Sequence, residues 1–325
     1  MIKIAFAGAF AGRLAEPVRE CLTVPNEIVI GDETRIIPQL GDVDILVSLA
    51  FSQDMGRAAH QLKLVQVPGA GLDRIDQSAL SPKTLLANAY GHEIGISEYV
   101  LGAMLLLTRG LARLDTKLRK GEWESQWAAG TSAPPLWPEL AGKTLGILGY
   151  GRIGQAVARR AQAFGMEIQA IRRNFHQPPS DPTVHLAGPE RLHELLRRSD
   201  YLAITASLSE ETRGLIGERE LGLMKPSAIL INVARGEIVD ERSLYQALAS
   251  NRIAGAALDV WYRYPKDGQP TFPGNYPFHE LANVLLTPHV SGWTDGMLRE
   301  RTKVIAENVT RTVNGILPLN LIPRS

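Results

Sequence analysis

A glycine-rich turn at residues 149–154 is the segment of the sequence whose residue types and spacing point most clearly to chemistry. It has the pattern GxGxxG, follows a short apolar run at 144–148 and precedes a helical pattern at 152–164. In this context the first glycine allows a tight turn, the second lets the backbone approach a pyrophosphate, and the third allows close helix–sheet packing. We therefore predict a dinucleotide-binding turn that consists of Gly149, Tyr150, Gly151, Arg152, Ile153 and Gly154.

The end of the following strand indicates which dinucleotide the turn would bind. An NAD-binding unit usually carries Asp or Glu about 20 residues after the glycines, where it binds the ribose 2′-hydroxyl. Here Arg172 and Arg173 follow the predicted strand, and the next acidic residue is Asp181. Guanidinium groups suit a 2′-phosphate because they form charge-assisted, often bidentate hydrogen bonds. We expect NADP, and we keep NAD as the alternative because two surface arginines at a strand end would give the same pattern.

Alternating strand and helix patterns predict the elements that position this turn. Short apolar runs and helical patterns follow one another along the chain, which is typical of βαβ units with parallel sheets. In the first part we predict helices at 12–22 and 53–61 and strands at 2–7, 27–30, 45–49 and 64–67. In the second part we predict strands at 144–148, 167–171, 201–205, 228–232, 254–258 and 284–287. Six strands in this order suit a doubly wound nucleotide-binding sheet.

Three further segments bear on domain organisation. A helical stretch at 93–120 is long enough to bridge two domains. Residues 121–138 contain several glycines and prolines and three tryptophans, which suits either a boundary or an arm that packs on another subunit. The last predicted helix, at about 295–313, has no strand after it, and we expect it to return to the first domain. Because the chain ends soon afterwards, we expect no separate regulatory domain.

Composition excludes several classes of protein. The 325 residues include 35 Lys and Arg against 34 Asp and Glu, so the basic excess of a nucleic-acid-binding scaffold is missing. Cys21 is the single cysteine, which excludes an intramolecular disulfide and a cysteine-based zinc site. His185 and His193 have no recognised metal-ligand spacing, so we expect no metal. The apolar stretch at 99–107 is shorter than the ~20 residues of a membrane span. We expect a soluble, cytoplasmic protein.

Several segments resemble the D-isomer-specific 2-hydroxyacid dehydrogenase family, and the resemblance covers nearly the whole chain. Their agreement in order and spacing is highly specific. They are VPGAGLD at 67–73 (similar to the family's substrate loop), AN at 87–88, SE at 97–98, LGILGYGRIG at 145–154 (cofactor turn), NVARGEIVD at 232–240 (catalytic arginine) and LLTPH at 285–289 (catalytic histidine). The resemblance implies an α/β protein with two doubly wound parallel-sheet domains. A Rossmann nucleotide-binding domain at 99–288 would be inserted into a flavodoxin-like substrate domain made of 1–98 and 289–325.

The resemblance also implies roles that suit the reduction of a 2-oxo acid. This reaction needs a hydride donor, a cation for the carboxylate and carbonyl, and a proton donor for the new alkoxide. Arg235 follows a predicted strand, so its side chain would emerge at the carboxyl edge, where ligands bind, and its fork suits a carboxylate. His289 also follows a strand and could supply the proton. The N–H groups of Ala70 and Gly71 could bind the other carboxylate oxygen. Further expected cofactor contacts are Val233, Ala234, Asp259 and His289.

One position departs from the family pattern. The segment 255–260 resembles the family's next motif, and a glutamate is expected five residues after Asp259, where this chain has Tyr264. In the family that glutamate pairs with the histidine and favours its protonated form, whereas a neutral phenol supplies no charge. We therefore expect His289 to titrate near the ordinary ~6.5 of histidine and reduction to weaken as the pH rises through neutrality. The alternative is that Glu98 or Asp295 replaces the glutamate.

Together these features predict an NADP-preferring, D-specific 2-hydroxyacid dehydrogenase that acts mainly as a 2-oxoacid reductase and forms a homodimer. Arg235, His289 and Tyr264 would be its catalytic residues. One alternative is a formate-like small-anion dehydrogenase on the same scaffold. Another is a nucleotide-binding sensor or corepressor-like protein without turnover, which the missing glutamate favours and the retained arginine and histidine oppose. The many aromatic residues at 261–293 either line a pocket for an apolar or aromatic 2-oxo acid or pack a long loop.

Overall fold

The computed structural model divides the chain into two units. It describes residues 1–130, 136–175, 179, 181–265 and 268–323. Unit 1 comprises Met1–His92 and Trp293–Ser325, and unit 2 comprises Glu93–Gly292. Residues 131–135 of the predicted arm at 121–138, and 324–325 of the predicted substrate domain, lie outside the described residues. The domain boundaries predicted at 98/99 and 288/289 stay predictions.

Unit 1 is built on a parallel sheet in the order β2-β1-β3-β4-β5. The spatial order is that of the flavodoxin-like doubly wound fold. The predicted strands are confirmed to within a residue at each end, and one short edge strand, β5, was missed. The elements of this part of the chain are β1 (Ile2–Ala7), α1 (Ala9–Cys21), β2 (Asn26–Gly31), β3 (Ile45–Ser48), α2 (Gln53–Ala58), β4 (Leu64–Gln66) and β5 (Leu85–Ala87).

Unit 2 begins with two helices where the sequence predicted one stretch. Helix α3 (Glu93–Arg109) ends at Gly110, whose φ of 60° lies in the left-handed region, and α4 (Leu111–Leu118) follows at a different angle. No described helix alone is long and apolar enough to cross a membrane, although α3 and α4 meet that criterion together with a bend of 59° between them. The helical stretch predicted at 93–120 is thus present as two helices, because Gly110 adopts the left-handed conformation that interrupts it.

The sheet of unit 2 is also parallel, in the order β12-β11-β10-β9-β6-β7-β8. This is the doubly wound nucleotide-binding arrangement, in which the order of strands reverses beside β6. The prediction of six strands missed β8, because this three-residue edge strand has no apolar run. The elements are β6 (Thr144–Leu148), α5 (Arg152–Ala163), β7 (Glu167–Ile171), β8 (His185–Ala187), α6 (Leu192–Arg198), β9 (Tyr201–Ile204), α7 (Glu218–Leu223), β10 (Ile229–Asn232), α8 (Glu241–Ala249), β11 (Gly255–Leu258) and β12 (Val284–Leu286).

The two faces of this sheet are covered by different helices. On β7, Ile168 and Ala170 pack into the core beneath α3 and α5, whereas Ile171 packs into the core beneath α6, α7 and α8. The alternation follows from the pleat, which points successive side chains to opposite faces. Because all strands of the sheet are parallel, their carboxyl ends lie along one edge, where ligands bind in such folds.

The last helix that the structure describes is α9 (Asp295–Val313), which confirms the helix predicted at about 295–313. The Thr294 hydroxyl caps its first turn by accepting a hydrogen bond from the N–H of Met297 at 3.1 Å. The helix packs against α1 and β4 of unit 1. The amide of Asn308, which is buried, donates to Oε1 of Gln66 at 2.6 Å. The helix thus completes the core of unit 1.

Candidate active site

The glycine turn has the geometry that a dinucleotide site needs. At Gly149 φ is 105°, and an added Cβ would lie 2.4 Å from the backbone nitrogen of Ala206. At Gly154 an added Cβ would lie 2.5 Å from the carbonyl oxygen of Gly149, so helix and turn pack too closely for a side chain. At Gly151 an added Cβ would meet no atom of the described residues within 4 Å. This open space at the N-terminus of α5 suits a pyrophosphate, and the residues fit a dinucleotide cofactor.

The turn is held to the neighbouring strand by its backbone. The N–H groups of Gly149 and Tyr150 donate to the carbonyl oxygen of Ile171 at 3.0 and 2.9 Å. Arg172 and Arg173 follow directly, so the predicted cofactor-selecting arginines lie at the same edge of the sheet as the turn. The guanidinium of Arg173 is 3.7 Å from the carboxylate of Glu211, and both side chains are exposed.

The ends of the neighbouring strands β10, β11 and β12 bring together the residues predicted for catalysis. In the parallel register Asn232 pairs with Leu258 and Leu258 pairs with Leu286, which are the last residues of the three strands. Arg235 and His289 each come three residues after a strand end. The register therefore explains why segments far apart in the sequence converge at one edge.

Asn232 shapes the turn that carries Arg235. It is buried, its amide nitrogen donates to the carbonyl oxygen of Arg235 at 2.9 Å, and its Oδ1 accepts from the N–H of Ala234 at 3.1 Å. The next position, 236, requires glycine, because an added Cβ there would lie 2.7 Å from the backbone of Trp261. The guanidinium itself donates to the carbonyl oxygen of Ala234 at 2.7 Å and remains half-buried.

Asp259 holds the segment that carries His289. Its side chain is 0% exposed. One carboxylate oxygen accepts from the Thr287 hydroxyl at 2.6 Å and from the N–H of Val290 at 2.9 Å, and the other accepts from the N–H of Ser291 at 2.8 Å. Between these anchors His289 has φ 57°, in the left-handed region that residues other than glycine adopt rarely. The sequence assigned Asp259 to the cofactor, and that contact stays a prediction, whereas the positioning of the histidine segment was missed.

Two aromatic residues reinforce the same segment. The Trp261 indole N–H donates to the carbonyl oxygen of Thr287 at 2.8 Å, and the hydroxyls of Tyr99 and Thr287 are 2.7 Å apart. Burial raises the pKa of Tyr99 to about 12, so its hydroxyl keeps its proton and remains a hydrogen-bond donor. The turn before His289 is therefore fixed on both sides.

Tyr264 is the hydrogen-bonding partner of His289. Its hydroxyl oxygen lies 2.8 Å from Nδ1 of the histidine, and it accepts a hydrogen bond from the N–H of Trp261 at 3.2 Å. Burial raises the pKa of Tyr264, while the Trp261 N–H and the positive charge of Arg235 act in the opposite direction. The structure therefore brings Tyr264 and His289 into direct contact, and Arg235 follows β10 at the same edge of the sheet.

The two acids considered as substitutes for the missing glutamate have other partners. The carboxylate of Glu98 lies 3.8 Å from the guanidinium of Arg160. The carboxylate of Asp295 lies 2.6 Å from the guanidinium of Arg299 within α9. Tyr264 thus occupies the position at Nδ1 of His289.

Most aromatic residues at 261–293 pack the long loop. Phe278 is almost fully buried and contacts the rings of Tyr245, Trp261 and Tyr262 at centroid distances of 5.5, 6.3 and 6.4 Å. The Tyr262 hydroxyl donates to the carbonyl oxygen of Val239 at 2.9 Å. The loop-packing alternative is therefore correct for these residues, and Tyr264 is the aromatic side chain at the catalytic residues.

In unit 1, the segment at 67–73 follows β4 and has its own anchors. The buried side-chain amide of Asn88 donates to the carbonyl oxygen of Ala70 at 3.1 Å. The backbone N–H of Ala89 donates to the carbonyl oxygen of Gly69 at 3.1 Å. No described residue accepts a hydrogen bond from the N–H of Ala70 or Gly71. These two N–H groups suit an anion. The sequence did not predict the anchoring role of Asn88, although its place directly after a buried strand was the available signal.

Comparison with known proteins agrees with this geometry. A sequence model described as the NAD-binding domain of D-isomer specific 2-hydroxyacid dehydrogenases matches residues 101–291. The glyoxylate reductase of Thermococcus gammatolerans is 34% identical over 91% of this chain and 89% of its own length. The D-3-phosphoglycerate dehydrogenase of Methanocaldococcus jannaschii is 32% identical over 88% of this chain. The matched region is 53% of that relative, so this chain spans only about half of its length.

A solved structure shares the whole fold. An acyclic imino acid reductase (Bsp5) in complex with NADPH and D-Arg has a TM-score of 0.82 and 25% identity, covering 99% of this chain and all of that one. The fold, the geometry of the glycine turn and the sequence matches all indicate the same family. The chain therefore belongs to the D-isomer-specific 2-hydroxyacid dehydrogenase family, whose members are NAD(P)-dependent oxidoreductases.

Proposed function

We propose that this protein is an NADP-preferring, D-specific 2-hydroxyacid dehydrogenase that acts mainly as a 2-oxoacid reductase. The observation that carries the proposal is the hydrogen bond of 2.8 Å between the Tyr264 hydroxyl and Nδ1 of His289. We assign Nε2 of the histidine as the nitrogen that exchanges a proton with a substrate. The similarity to glyoxylate reductases supports the reductive direction.

Arg235 and His289 have separate tasks in this reaction. The guanidinium of Arg235 binds the substrate carboxylate and polarises the adjacent carbonyl oxygen. When bound, a nicotinamide cofactor supplies the hydride that reduces the carbonyl carbon. His289 donates a proton from Nε2 to the carbonyl oxygen, which becomes the hydroxyl of the product. For Ala70 and Gly71 we keep the role that the resemblance implies, binding of a carboxylate oxygen by their N–H groups.

Tyr264 orients His289 without charging it. Because its oxygen accepts from the Trp261 N–H, its proton is available for Nδ1 when the imidazole is neutral. This bond favours the tautomer with hydrogen on Nε2 and stabilises the ring orientation. A phenol lacks the negative charge that would stabilise imidazolium, so the protonated form is lost at lower pH than with a glutamate.

Cofactor preference is assigned to Arg172 and Arg173. They follow β7 at the edge that carries the glycine turn, where the ribose 2′-phosphate of NADP is expected. The ion pair of Arg173 with Glu211 is exposed and contributes little, so it does not prevent phosphate binding. The turn residues Gly149 to Gly154, together with Val233, Ala234 and Asp259, complete the proposed cofactor contacts.

We propose that the protein forms a homodimer and that the arm at 121–138, together with the preceding helix α4, packs on the second subunit. Trp123 is 58% exposed and Trp127 is 88% exposed, which is unusual for tryptophan in an isolated chain. Leu111 and Leu118 of α4 are also exposed. Light scattering should give the mass of a dimer for the wild type. A monomer for the wild type would refute the assignment.

The activity is tested by mixing the protein with NADPH and glyoxylate, hydroxypyruvate or phenylpyruvate and following the absorbance of the reduced cofactor. We expect oxidation of NADPH with at least one of these acids and a D-configured product. Binding of NADPH without any turnover would support the sensor-like alternative instead. Turnover with formate and NADP, but none with the 2-oxo acids, would support the formate-like alternative.

A further inference from the structure

A cavity of about 300 Å³ lies in unit 2 between α6 and the outer strands β7 and β8. Its volume is at the lower end of the range of about 300–1,000 Å³ for small-molecule sites. It opens beside the sheet rather than at the catalytic residues, because Arg235, Tyr264 and His289 are not among its lining residues. Its lining includes Gln169, Ile171, His185, Arg191, Glu194 and Arg198.

Gln169 places a polar group inside this cavity. It is only 7% exposed, and it lies on the same face of β7 as Ile171, which belongs to the core beneath α6. Its side-chain amide forms no hydrogen bond with any residue in the described part of the chain. The amide is not among the buried polar atoms of the described residues that lack a partner, so it keeps contact with solvent in the cavity. A ligand in the cavity can therefore replace that solvent and form hydrogen bonds with the amide. The sequence places this glutamine in an otherwise apolar strand core, Ile168 to Ile171.

Basic side chains surround the entrance to the cavity. Arg191 and Arg198 each lie about one helical turn from Glu194, on either side of it along the same face of α6 and its preceding turn. Both pair with the carboxylate of Glu194, at 3.0 and 3.6 Å, and all three side chains are largely exposed. Exposed pairs of this kind are weak, so a bound carboxylate can share the two guanidinium groups. His185 lies next to Gln169 in the β7–β8 register.

The walls of the cavity are linked to the cofactor turn by backbone hydrogen bonds. The carbonyl oxygen of Ile171 accepts from the N–H groups of Gly149 and Tyr150, and that of Ala187 accepts from the N–H of Arg172 at 3.1 Å. A ligand that shifts or stabilises these two strand ends therefore acts on residues proposed to bind NADPH. This is a physical route for coupling between two sites.

From these observations we infer that the cavity is a second ligand site, which binds a small aromatic carboxylate that carries a polar group at its far end. The carboxylate lies between Arg191 and Arg198, the ring packs on Ile171 and the apolar wall, and the polar group bonds to the Gln169 amide. Occupancy changes the affinity for NADPH. This coupling rests on the proposed function, whereas binding in the cavity does not.

The test uses 4-hydroxybenzoate as the probe in calorimetric titrations of the full chain without cofactor. Two analogues remove one recognition group each: benzoate lacks the hydroxyl and 4-hydroxybenzamide lacks the charge. The variants are Gln169→Leu and Arg198→Ala. Arg197→Ala is the matched control, since Arg197 is an exposed neighbour on α6 that does not line the cavity. An Arg235→Ala background removes the proposed carboxylate site of the active site.

We expect saturable binding of 4-hydroxybenzoate to the wild type, to Arg197→Ala and to Arg235→Ala with equal affinity. Arg198→Ala should weaken it about tenfold, as expected for the loss of one charge-assisted hydrogen bond of about 1.4 kcal/mol. Gln169→Leu should make 4-hydroxybenzoate bind no more tightly than benzoate. Absence of binding to the wild type, loss of binding in Arg235→Ala, or wild-type affinity in both Gln169→Leu and Arg198→Ala would overturn the site.

Coupling is measured by titrating NADPH with and without saturating 4-hydroxybenzoate, using fluorescence of the cofactor. We expect the Kd of NADPH to change at least about fivefold, the lower limit of typical coupling, and this change to vanish in Gln169→Leu. An unchanged Kd would overturn the coupling. If NADPH does not bind at all, the proposed function fails, while the calorimetric result for the cavity still decides the site.

Discussion

Replacing Tyr264 with glutamate would restore a negative charge beside His289. The phenol oxygen lies 2.8 Å from Nδ1, so a carboxylate of the shorter side chain would lie about 3–4 Å from the ring. Opposite unit charges 4 Å apart attract by about 1 kcal/mol in bulk water and about 4 kcal/mol near a protein surface. One pKa unit corresponds to about 1.36 kcal/mol. Because Tyr264 is 45% exposed, we expect the intermediate result, a rise of about 1–2 units in the pKa of His289.

The sign of the effect on activity follows from the direction of the reaction. Reduction needs His289 with a proton to donate, so raising its pKa extends the active range to higher pH. The assay is the pH dependence of kcat/KM for NADPH-dependent reduction. Tyr264→Gln is the matched control, because glutamine has nearly the same shape as glutamate and no charge. A descending limb at the same pH in the two variants, or a wild-type profile that stays flat well above pH 8, would refute the reasoning.

Three further predictions follow from single contacts. Asp259→Asn loses an acceptor for Thr287, Val290 or Ser291, so the free energy of unfolding should fall by about 1–3 kcal/mol in urea titrations, and kcat should fall as well; an unchanged kcat would exclude a positioning role. Asn88→Ala removes the donor to Ala70, so KM for the 2-oxo acid should rise several-fold with an unchanged Kd for NADPH, and the reverse pattern would contradict the anchoring role. Replacing Arg172 and Arg173 together with alanine should weaken NADPH binding about 10- to 100-fold, from the loss of about 1.5–3 kcal/mol, and leave NADH binding nearly unchanged; an equal loss for both would argue against 2′-phosphate recognition.

Periodicity predicted the long strands and the last helix well, because an apolar run of five or six residues between turn residues is typical of a buried parallel strand. The strands at 144–148 and 167–171 have the predicted bounds. The two missed strands, β5 and β8, have three residues each and lie at sheet edges. β8 is partly exposed, so burial imposes no apolar pattern there, whereas β5 is apolar and buried but too short for its run to indicate a strand. The break at Gly110 was missed because a glycine inside a helical pattern is compatible with both a continuous and an interrupted helix.

The residues of the candidate site were predictable where a motif carried them, and their contacts were not. The resemblance to the family identified Arg235, Tyr264 and His289. In the structure Tyr264 contacts His289, and Arg235 lies at the same edge of the sheet. The sequence did not indicate that Asp259 anchors the segment around His289, because that role depends on backbone N–H groups about 30 residues further along. Such contacts follow from the parallel register of β11 and β12, which no local pattern encodes.

Proton donation by His289 during the NADPH-dependent reduction of a 2-oxo acid bound by Arg235 is tested most directly by kcat/KM for glyoxylate in the wild type and in His289→Asn. Asparagine keeps a polar side chain of modest size but cannot exchange a proton in this pH range. We predict measurable reduction by the wild type and a loss of about 10²- to 10⁴-fold in the variant, the usual contribution of a general acid. Equal rates in the two proteins, with the left-handed turn at residue 289 intact, would contradict the account.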